Sequence, residues 1–510
     1  MTKARGRAET TDLFAREHPG RGELAVVSHD AHKRSSCEPE VVSNIPRASV
    51  GLRAVLLGTL ALAIVFWWVP RADALPAFAG QTGAPCSACH VGGFGPQLTP
   101  FGISFRANGY TLRGGTGPWA QIPVSVVVSP SFQNTATALP EAPSGYGTNG
   151  FFNALGTGTA LYIAGGKYFD DHFGVGGFEQ VGFSIVPGVS FSASEATSDF
   201  TLTKRLSLGD HSLLLGFDFT NTPSGGDPYN TLYNGFTFPF LTPFVGPVPS
   251  ASPAISILGT TVYGLSLYAL YDNSLYVDAG LYQTWSQDFL NIMNISASSL
   301  GIIAGTAPYL RIADQHTWGN NFLEIGGVAM WIPLQQIPGI SDPAAQNSYL
   351  DWGFDATYQH TFGSDTLAIA TNILFEQQTL GASFDEGISA NPSNSLTQFR
   401  IAASYYWNNT YGFTLAYNAV FGTTDQGLFA PAPLTGSANG SPDSQAIIAQ
   451  FDWTPFGKST TDPGFPWLNV RVGVQYTHYL QFNGGTTNYD GFGRNASDND
   501  TLLLFTWWAF

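Results

Sequence analysis

The sequence predicts an all-β chain that forms a closed antiparallel outer-membrane β-barrel of about 16 strands, and three observations lead to this. Apolar and polar residues alternate in many short stretches, as in residues 467–482. Charged residues make up only 11% of the chain, against about 25% in ordinary soluble domains. Short turns alternate along the sequence with long loops, which is the connection pattern of outer-membrane barrels.

The residues ahead of the predicted barrel begin with a targeting region. Residues 1–53 are polar and without periodicity, and we interpret them as an unstructured extension or a misassigned start. Residues 54–74 hold an apolar run followed by Ala72-Asp73-Ala74. This pattern predicts a signal peptide that is cleaved after Ala74 and directs export, with a single membrane anchor as the alternative.

The exported part of the chain is acidic. Residues 1–74 contain 10 of the 20 Lys and Arg and 8 of the 36 Asp and Glu, which leaves 10 basic and 28 acidic residues and a formal charge near −18. This charge argues against a nucleic-acid partner and suits a surface or pore that attracts cations.

Residues 119–510 are predicted to form the barrel. In residues 467–482, Val472 and Val474 alternate with Arg471 and Gly473, so that one face contacts hydrocarbon and the other water. Lipid offers no hydrogen-bond partner to an open sheet edge, so the sheet must close, which disfavours a soluble β-sandwich. Residues 185–198 are expected to be a loop. The predicted strands are 121–134, 157–169, 173–184, 199–208, 211–221, 258–271, 275–286, 306–317, 322–333, 349–361, 366–378, 396–407, 411–422, 445–454, 467–482 and 499–510.

Two cysteines and a histidine form the pattern Cys-x-x-Cys-His at Cys86, Cys89 and His90, within a predicted haem-binding segment at residues 75–118. Two thiols at this spacing can form thioethers with one haem, and the adjacent imidazole then becomes the proximal iron ligand. The motif therefore predicts one covalent haem c. A structural zinc site would need a second pair of ligands, and a disulfide or thiol redox pair is the other alternative.

The sixth ligand of the iron is less clear from the sequence. Residues 91–130 contain neither Met nor His. Met330 lies on a predicted strand in the inward register, which makes it a tentative distal ligand. His172, in a predicted short turn, is a further candidate, whereas Met293 falls in a long loop.

Several charged residues are predicted to face the inside of the barrel. Their balance is mildly acidic, which would concentrate cations, although a solvated pore wall is the simpler interpretation. They are Asp218, Asp278, Glu324, Asp351, Asp355, Glu376 and Asp452, with Arg205, Arg311, Arg400 and Arg471.

Residues 78–115 resemble the start of the fused outer-membrane monohaem cytochrome-porins of iron-oxidising bacteria. The resemblance is carried by Gln81 to Gly83 before the Cys-x-x-Cys-His motif, by Leu98 to Gly102 and by Gly109-Tyr110. It implies a haem segment that plugs a barrel of about 16 strands, with Cys86 and Cys89 as attachment points and His90 as a ligand. It supplies no distal ligand.

The resemblance and the residues together predict an outer-membrane electron-transfer cytochrome with oxidoreductase-type activity. It would take electrons from an extracellular donor, Fe(II) above all, and deliver them to a periplasmic cytochrome or copper protein. Two rivals remain open at this point. One is a porin whose haem-bearing plug controls solute transport, and the other is a haem peroxidase or ligand sensor, which the missing sixth ligand favours.

Overall fold

The computed structural model describes residues 76–156, 158–232 and 245–510. The predicted N-terminal extension, the signal peptide and its cleavage after Ala74 lie outside these residues. No helix in the described ranges is both long and apolar enough to cross a bilayer.

The described chain consists mainly of antiparallel strands joined by turns, loops and short helices. The helices are α1 (Pro76–Thr82), α2 (Cys86–Cys89), α3 (Pro100–Ala107), α4 (Pro223–Gly226), α5 (Ala254–Ile257), α6 (Gln287–Ile292) and α7 (Gly381–Asp385). Single 3-10 turns occupy Val91–Gly93, Pro118–Gln121, Gly259–Thr261 and Ala496–Asn499. The strands are β1 (Val124–Val128), β2 (Ser131–Thr135), β3 (Phe151–Asn153), β4 (Ala160–Tyr168), β5 (Phe173–Val186), β6 (Ser190–Leu208), β7 (His211–Thr220), β8 (Val262–Tyr271), β9 (Leu275–Thr284), β10 (Ile302–Ile303), β11 (Ala307–Trp318), β12 (Asn321–Gln335), β13 (Asn347–Phe362), β14 (Asp365–Thr379), β15 (Ser393–Trp407), β16 (Tyr411–Gly422), β17 (Ser444–Trp453), β18 (Asn469–Gln481) and β19 (Thr501–Ala509).

The sheet closes on itself. The last strand, β19, pairs with β18 along one edge and with β1 and β2 along the other, and β1 also pairs with β4. β1 and β2 form one wall strand that is interrupted at Pro130, because proline has no N–H to donate. Within the described residues the wall therefore has sixteen strands, with β3 and β10 as short additions. The predicted closed antiparallel barrel is confirmed.

The outer surface of the barrel is apolar and its inner surface is polar. On β12, for example, Ile325 is 56% exposed whereas the neighbouring Glu324 is fully buried. Trp331 and Trp407 each lie near the C-terminal end of their strand and are exposed at opposite ends of the barrel, where lipid headgroups lie. An apolar exterior bounded by aromatic residues and a closed sheet place this chain in the outer membrane.

The connections differ at the two ends of the barrel, largely as predicted. At one end tight turns dominate, and Asp272 and Asn273 both adopt positive φ angles, of 50° and 51°, which suit the twist of a hairpin. The exception at this end is residues 454–468, which form a longer connection between β17 and β18. The other end carries the long loops. Tight turns face the periplasm in outer-membrane barrels.

The prediction that residues 185–198 form a loop is wrong. β5 and β6 continue through this region as a hairpin, with backbone pairing from Val181 and Glu195 to Val186 and Ser190. The strand count does not change, because the two strands become longer and no further pair is added. The run of serines and alanines lacks the strong alternation of the other strands, which hid the extension from sequence reasoning.

Two segments lie against the inner face of the barrel. The first is residues 76–121, which hold α1 to α3. The second is the connection between β7 and β8, of which residues 221–232 and 245–261 are described. Ile103 and Ala107 of α3 pack with inward residues of the wall such as Leu214, Tyr268 and Phe322. The N-terminal segment and the β7–β8 connection therefore both lie inside the barrel.

Candidate haem site

The Cys-x-x-Cys-His motif forms a single helical turn. α2 runs from Cys86 to Cys89, and the His90 N–H donates to the Cys86 carbonyl at 2.8 Å. This turn is joined to α3 through Thr99, whose N–H donates to the Cys89 carbonyl at 2.9 Å and whose hydroxyl donates to the carbonyl of Ala88. The turn brings both thiols and the imidazole to one place in the chain.

Glycine is required at one point of this contact. α3 begins beside the last residue of α2, and a Cβ atom added at Gly102 would overlap the Cys89 carbonyl. Gly102 belongs to the Leu-x-x-Phe-Gly stretch on which the family resemblance partly rests. Its role is therefore to let α3 approach the motif.

Cys86 and Cys89 are both free thiols. Burial raises the pKa of Cys86 to about 11 and the pKa of Cys89 to about 12, so both thiols are protonated at neutral pH. Burial also lowers the pKa of His90 to about 4. The Gly95 backbone acts to raise this pKa, and the positive charge of Arg471 acts to lower it further. The imidazole is therefore neutral, which is the form that binds a metal.

His90 has an unused hydrogen-bonding position. Its Nδ1 atom is buried and has no hydrogen-bond partner among the described residues. Buried polar atoms are nearly always paired, so an unpaired one is a sign of a missing partner. A haem ligand of this kind uses one imidazole nitrogen for the iron.

The motif borders a cavity of ≈ 350 Å³, which falls within the range of about 300–1,000 Å³ for cofactor sites. The N-terminal segment supplies one side of the cavity and the inner wall of the barrel the other. Most of its lining side chains are apolar or aromatic, which is the environment that a porphyrin ring prefers. The lining includes Phe78, Cys86, Cys89, His90, Phe94, Leu98, Phe105, Tyr110, Val127, Tyr162, Phe178 and Trp507.

The residues present therefore fit a covalent haem. They offer two free thiols one helical turn apart, a neutral imidazole with an unpaired buried nitrogen, and an aromatic cavity between segment and wall. The cavity lies toward the tight-turn end of the barrel, since Val127 pairs with Ala509 at the end of the last strand.

The N-terminal segment is anchored to the wall by polar contacts that sequence reasoning missed. Gln81 Nε2 donates to the Leu112 carbonyl at 2.9 Å, and the Gly166 N–H of β4 donates to Gln81 Oε1 at the same distance. On the far side, Asn469 Nδ2 donates to the Gly93 carbonyl at 2.7 Å. No pattern in the sequence pairs residues so far apart, although Gln81 belongs to the stretch that carries the family resemblance.

The connection 454–468 covers the motif from the tight-turn end. The Ser87 N–H donates to the Gly457 carbonyl at 2.8 Å, and a Cβ atom at Gly457 would lie 3.1 Å from Cys86 Cβ. This contact explains why one connection at that end is longer than the others. Its length in the sequence was the only available signal.

Met330 faces the interior as predicted and is 1% exposed. It packs in a cluster with Leu232, Ile255 and Tyr309, and it is not among the residues that line the cavity beside His90. His172 lies in an exposed turn, and Met293 ends α6 in a long loop. The structure therefore brings Cys86, Cys89 and His90 together but brings neither Met330 nor His172 to them.

The inward charges are present as predicted, but most serve as buried anchors. The Arg311 guanidinium is paired with Asp227 at 2.9 Å and Asp355 at 2.8 Å, and it also reaches Glu324 at 3.4 Å. Since Asp227 belongs to the inward β7–β8 connection, this network ties that connection to the wall.

Two further carboxylates hold the same connection. Asp351 and Glu376 accept backbone hydrogen bonds from Ile255 and Ala254 at 2.6 Å and 2.5 Å. The expectation of a solvated pore wall is therefore wrong for these residues, because their partners were hidden in a distant loop. In the described residues, no group of three or more His, Cys, Asp or Glu side chains is arranged to hold a metal ion.

Comparison with known proteins gives structural neighbours only. No family model and no curated protein matches the sequence. The chain is similar to OmpT of Vibrio cholerae, with a TM-score of 0.42 and 9% identity over 76% of this chain and 96% of that one. It is also similar to the outer-membrane channel DcaP of Acinetobacter baumannii, with a TM-score of 0.44 and 14% identity over 76% of this chain and 96% of that one. An anion-selective porin from Comamonas acidovorans gives a TM-score of 0.43 and 12% identity over 76% of this chain and 98% of that one. The assignment of this chain to the outer-membrane barrels rests on its own closed sheet and apolar exterior.

Proposed function

We propose that this chain is an outer-membrane electron-transfer cytochrome. It takes electrons from an extracellular donor, Fe(II) above all, and delivers them through one covalent haem c to a periplasmic cytochrome or copper protein. The observation that carries the proposal is the helical turn of Cys86, Cys89 and His90, with free thiols and an unpaired buried imidazole nitrogen, beside an aromatic cavity inside a membrane barrel.

Each part of the site has a distinct task in this proposal. Cys86 and Cys89 would tether the cofactor through thioethers, and His90 would bind the iron as a neutral imidazole. Phe78, Phe105 and other aromatic residues of the lining would shield the bound ring from water. A bound haem supplies one-electron chemistry between ferrous and ferric iron.

The position of the site in the barrel suits delivery of electrons to a periplasmic acceptor. The cavity lies near the tight-turn end, which faces the periplasm in barrels of this class. Each Fe(II) ion would give one electron and remain outside as Fe(III), so the protein need move only electrons. The two chain segments inside the barrel are compatible with this task, because electrons need no open channel.

The test is reduction of the haem by Fe(II) in outer-membrane vesicles, followed through the absorption bands of reduced c-type haem. We expect reduction in vesicles with the wild-type chain and no c-type bands with a C86A/C89A variant. A haem that dithionite reduces but Fe(II) does not would overturn Fe(II) as the donor.

A porin with a haem-bearing plug is the second candidate, and the barrel itself favours it. Barrels of about 16 strands are wide enough to leave an aqueous channel. Against this, the buried network of Arg311, Asp227 and Asp355 fixes an inward connection to the barrel wall. Swelling of liposomes that contain the protein in sugar solutions would support the porin, and barrels that admit no sugar would exclude it.

A further inference from the structure

We propose that the buried pair Arg471–Asp452 sets the reduction potential of the haem held by Cys86, Cys89 and His90, with the charge of Arg471 favouring the reduced iron. This inference rests on the proposed function and adds to it a residue pair that no cofactor motif contains. Arg471 lies on β18 and Asp452 on the neighbouring β17, and both face the interior.

The pair is closed off from solvent and joined to a tyrosine. Arg471 is 3% exposed and Asp452 is fully buried. Arg471 Nη2 donates to Asp452 Oδ2 at 3.0 Å and to the Tyr406 hydroxyl oxygen at 3.2 Å. The Tyr406 hydroxyl in turn donates to the same carboxylate oxygen at 3.4 Å.

The cationic end of this pair lies directly against the segment that follows His90. A Cβ atom added at Gly95 would overlap Arg471 Nη1, and Gly95 lines the haem cavity. The ring of Trp507, which also lines the cavity, has its centroid 5.7 Å from the guanidinium carbon. Only Nη2 contacts Asp452, so the positive end of the pair points to the cavity and the negative end points away.

Tyr406 extends the contact to the residues just after the ligand. It packs with Val91, and a Cβ atom at Gly92 would overlap its ring. Arg471, Asp452 and Tyr406 therefore form one buried cluster that contacts residues 90–95.

A fixed charge at this place acts on the iron because the surroundings are poorly polarisable. Oxidised iron porphyrin carries one positive charge more than the reduced form, so a nearby cation disfavours oxidation and raises the potential. The interaction is stronger in a protein interior than in water. Asp452 opposes it from a greater distance, since it lies behind the guanidinium.

The pair is also incompletely hydrogen-bonded, as are other buried charges of the interior such as Glu324 and Asp351. Arg471 Nε and Asp452 Oδ1 are buried and have no hydrogen-bond partner among the described residues. Burying two charges is costly, and a buried pair is weak evidence for a stabilising role. An electrostatic effect of the pair on the haem cavity would account for its burial.

The experiment is a redox titration of the full-length, haem-loaded protein in detergent, with the midpoint potential read from the haem absorption bands. R471Q should lower the potential and D452N should raise it, each by at least a tenfold change in the equilibrium constant for reduction, which is 59 mV for a one-electron couple. R471K keeps the charge and should stay close to wild type.

R400Q is the matched control. Arg400 is also inward and 1% exposed, but its guanidinium contacts the Thr231 carbonyl, and Thr231, unlike Gly95 and Trp507 beside Arg471, does not line the cavity. Its replacement should leave the potential unchanged. Gel mobility before and after heating shows whether each barrel has folded, and D452N with R471K decides the question if R471Q does not fold.

The possible results are separable. Potentials that do not change in R471Q and D452N, or that change in the same direction in both, would overturn this inference alone. A wild-type chain that carries no covalent haem after export would overturn the proposed function and this inference together.

Discussion

Replacement of Ile103 by alanine should release the N-terminal segment from the barrel wall. Ile103 is 2% exposed on α3 and packs with Leu214, Tyr268 and Leu270 of the inner wall. Truncation of a buried isoleucine to alanine costs about 2–5 kcal/mol, because the contacts are lost and a cavity is left. The population with the segment undocked should therefore rise about 30-fold to 4,000-fold, since each 1.4 kcal/mol is tenfold.

Limited proteolysis of the detergent-solubilised protein measures this population. The I103A segment should be cut much faster than the wild-type segment, while the barrel keeps its folded gel mobility. F101A is the matched control, because Phe101 lies on the same helix but is 37% exposed, and its loss should have little effect. Equal protection of I103A and wild type would refute the claim that the α3 contacts hold the segment in place.

Three further outcomes follow from other contacts of the chain. C86S/C89S should abolish the haem signal that remains on the chain after denaturing electrophoresis, and retention of that signal would exclude thioether attachment. G102A should make the N-terminal segment more sensitive to protease, because the added methyl group overlaps the Cys89 carbonyl, whereas G381A, which has open space, should not. Burial acts to raise the pKa of Asp425, but hydrogen bonds from neighbouring loop groups outweigh burial and hold this pKa below its usual value. Its stabilisation of the loops is therefore fully present above about pH 3.9 and is lost progressively as the pH falls below that value toward the folded-state pKa. The difference in hydrogen exchange between D425N and wild type should be larger at pH 5 than at pH 3, and an equal difference at both pH values would contradict this account.

The strands of the barrel wall could be predicted because the alternation that defines them is a local property of the sequence. Each strand alternates apolar and polar residues, so Glu324 and Ile325 reveal their faces without knowledge of any distant partner. The hairpin at residues 185–198 escaped prediction because serine and alanine suit either face. The short strand β3 also escaped prediction, because three residues are too few to show an alternation.

The site could be predicted only in part. Cys86, Cys89 and His90 lie within five residues, so their spacing alone predicts a haem-attachment motif. The cavity around them joins residues from both ends of the chain, and the contact of Arg471 with Gly95 spans nearly the whole barrel sequence. The sequence predicted that Arg471 faces inward, but only the closed sheet shows what lies opposite it.

The two kinds of interior charge point to different tasks. Arg311 lies among three carboxylates that join the β7–β8 connection to the wall, far in sequence from the haem motif. Arg471 has one carboxylate partner and contacts the segment that carries His90. Movement of the β7–β8 connection away from the wall would require the first network to open, at the cost of exposing uncompensated buried charges. Transfer of an electron requires no such opening and benefits from a rigid, water-poor site. If the proposed function holds, the two charge clusters have separate roles: the Arg311 network fixes the β7–β8 connection to the wall, and Arg471 acts on the segment that carries His90.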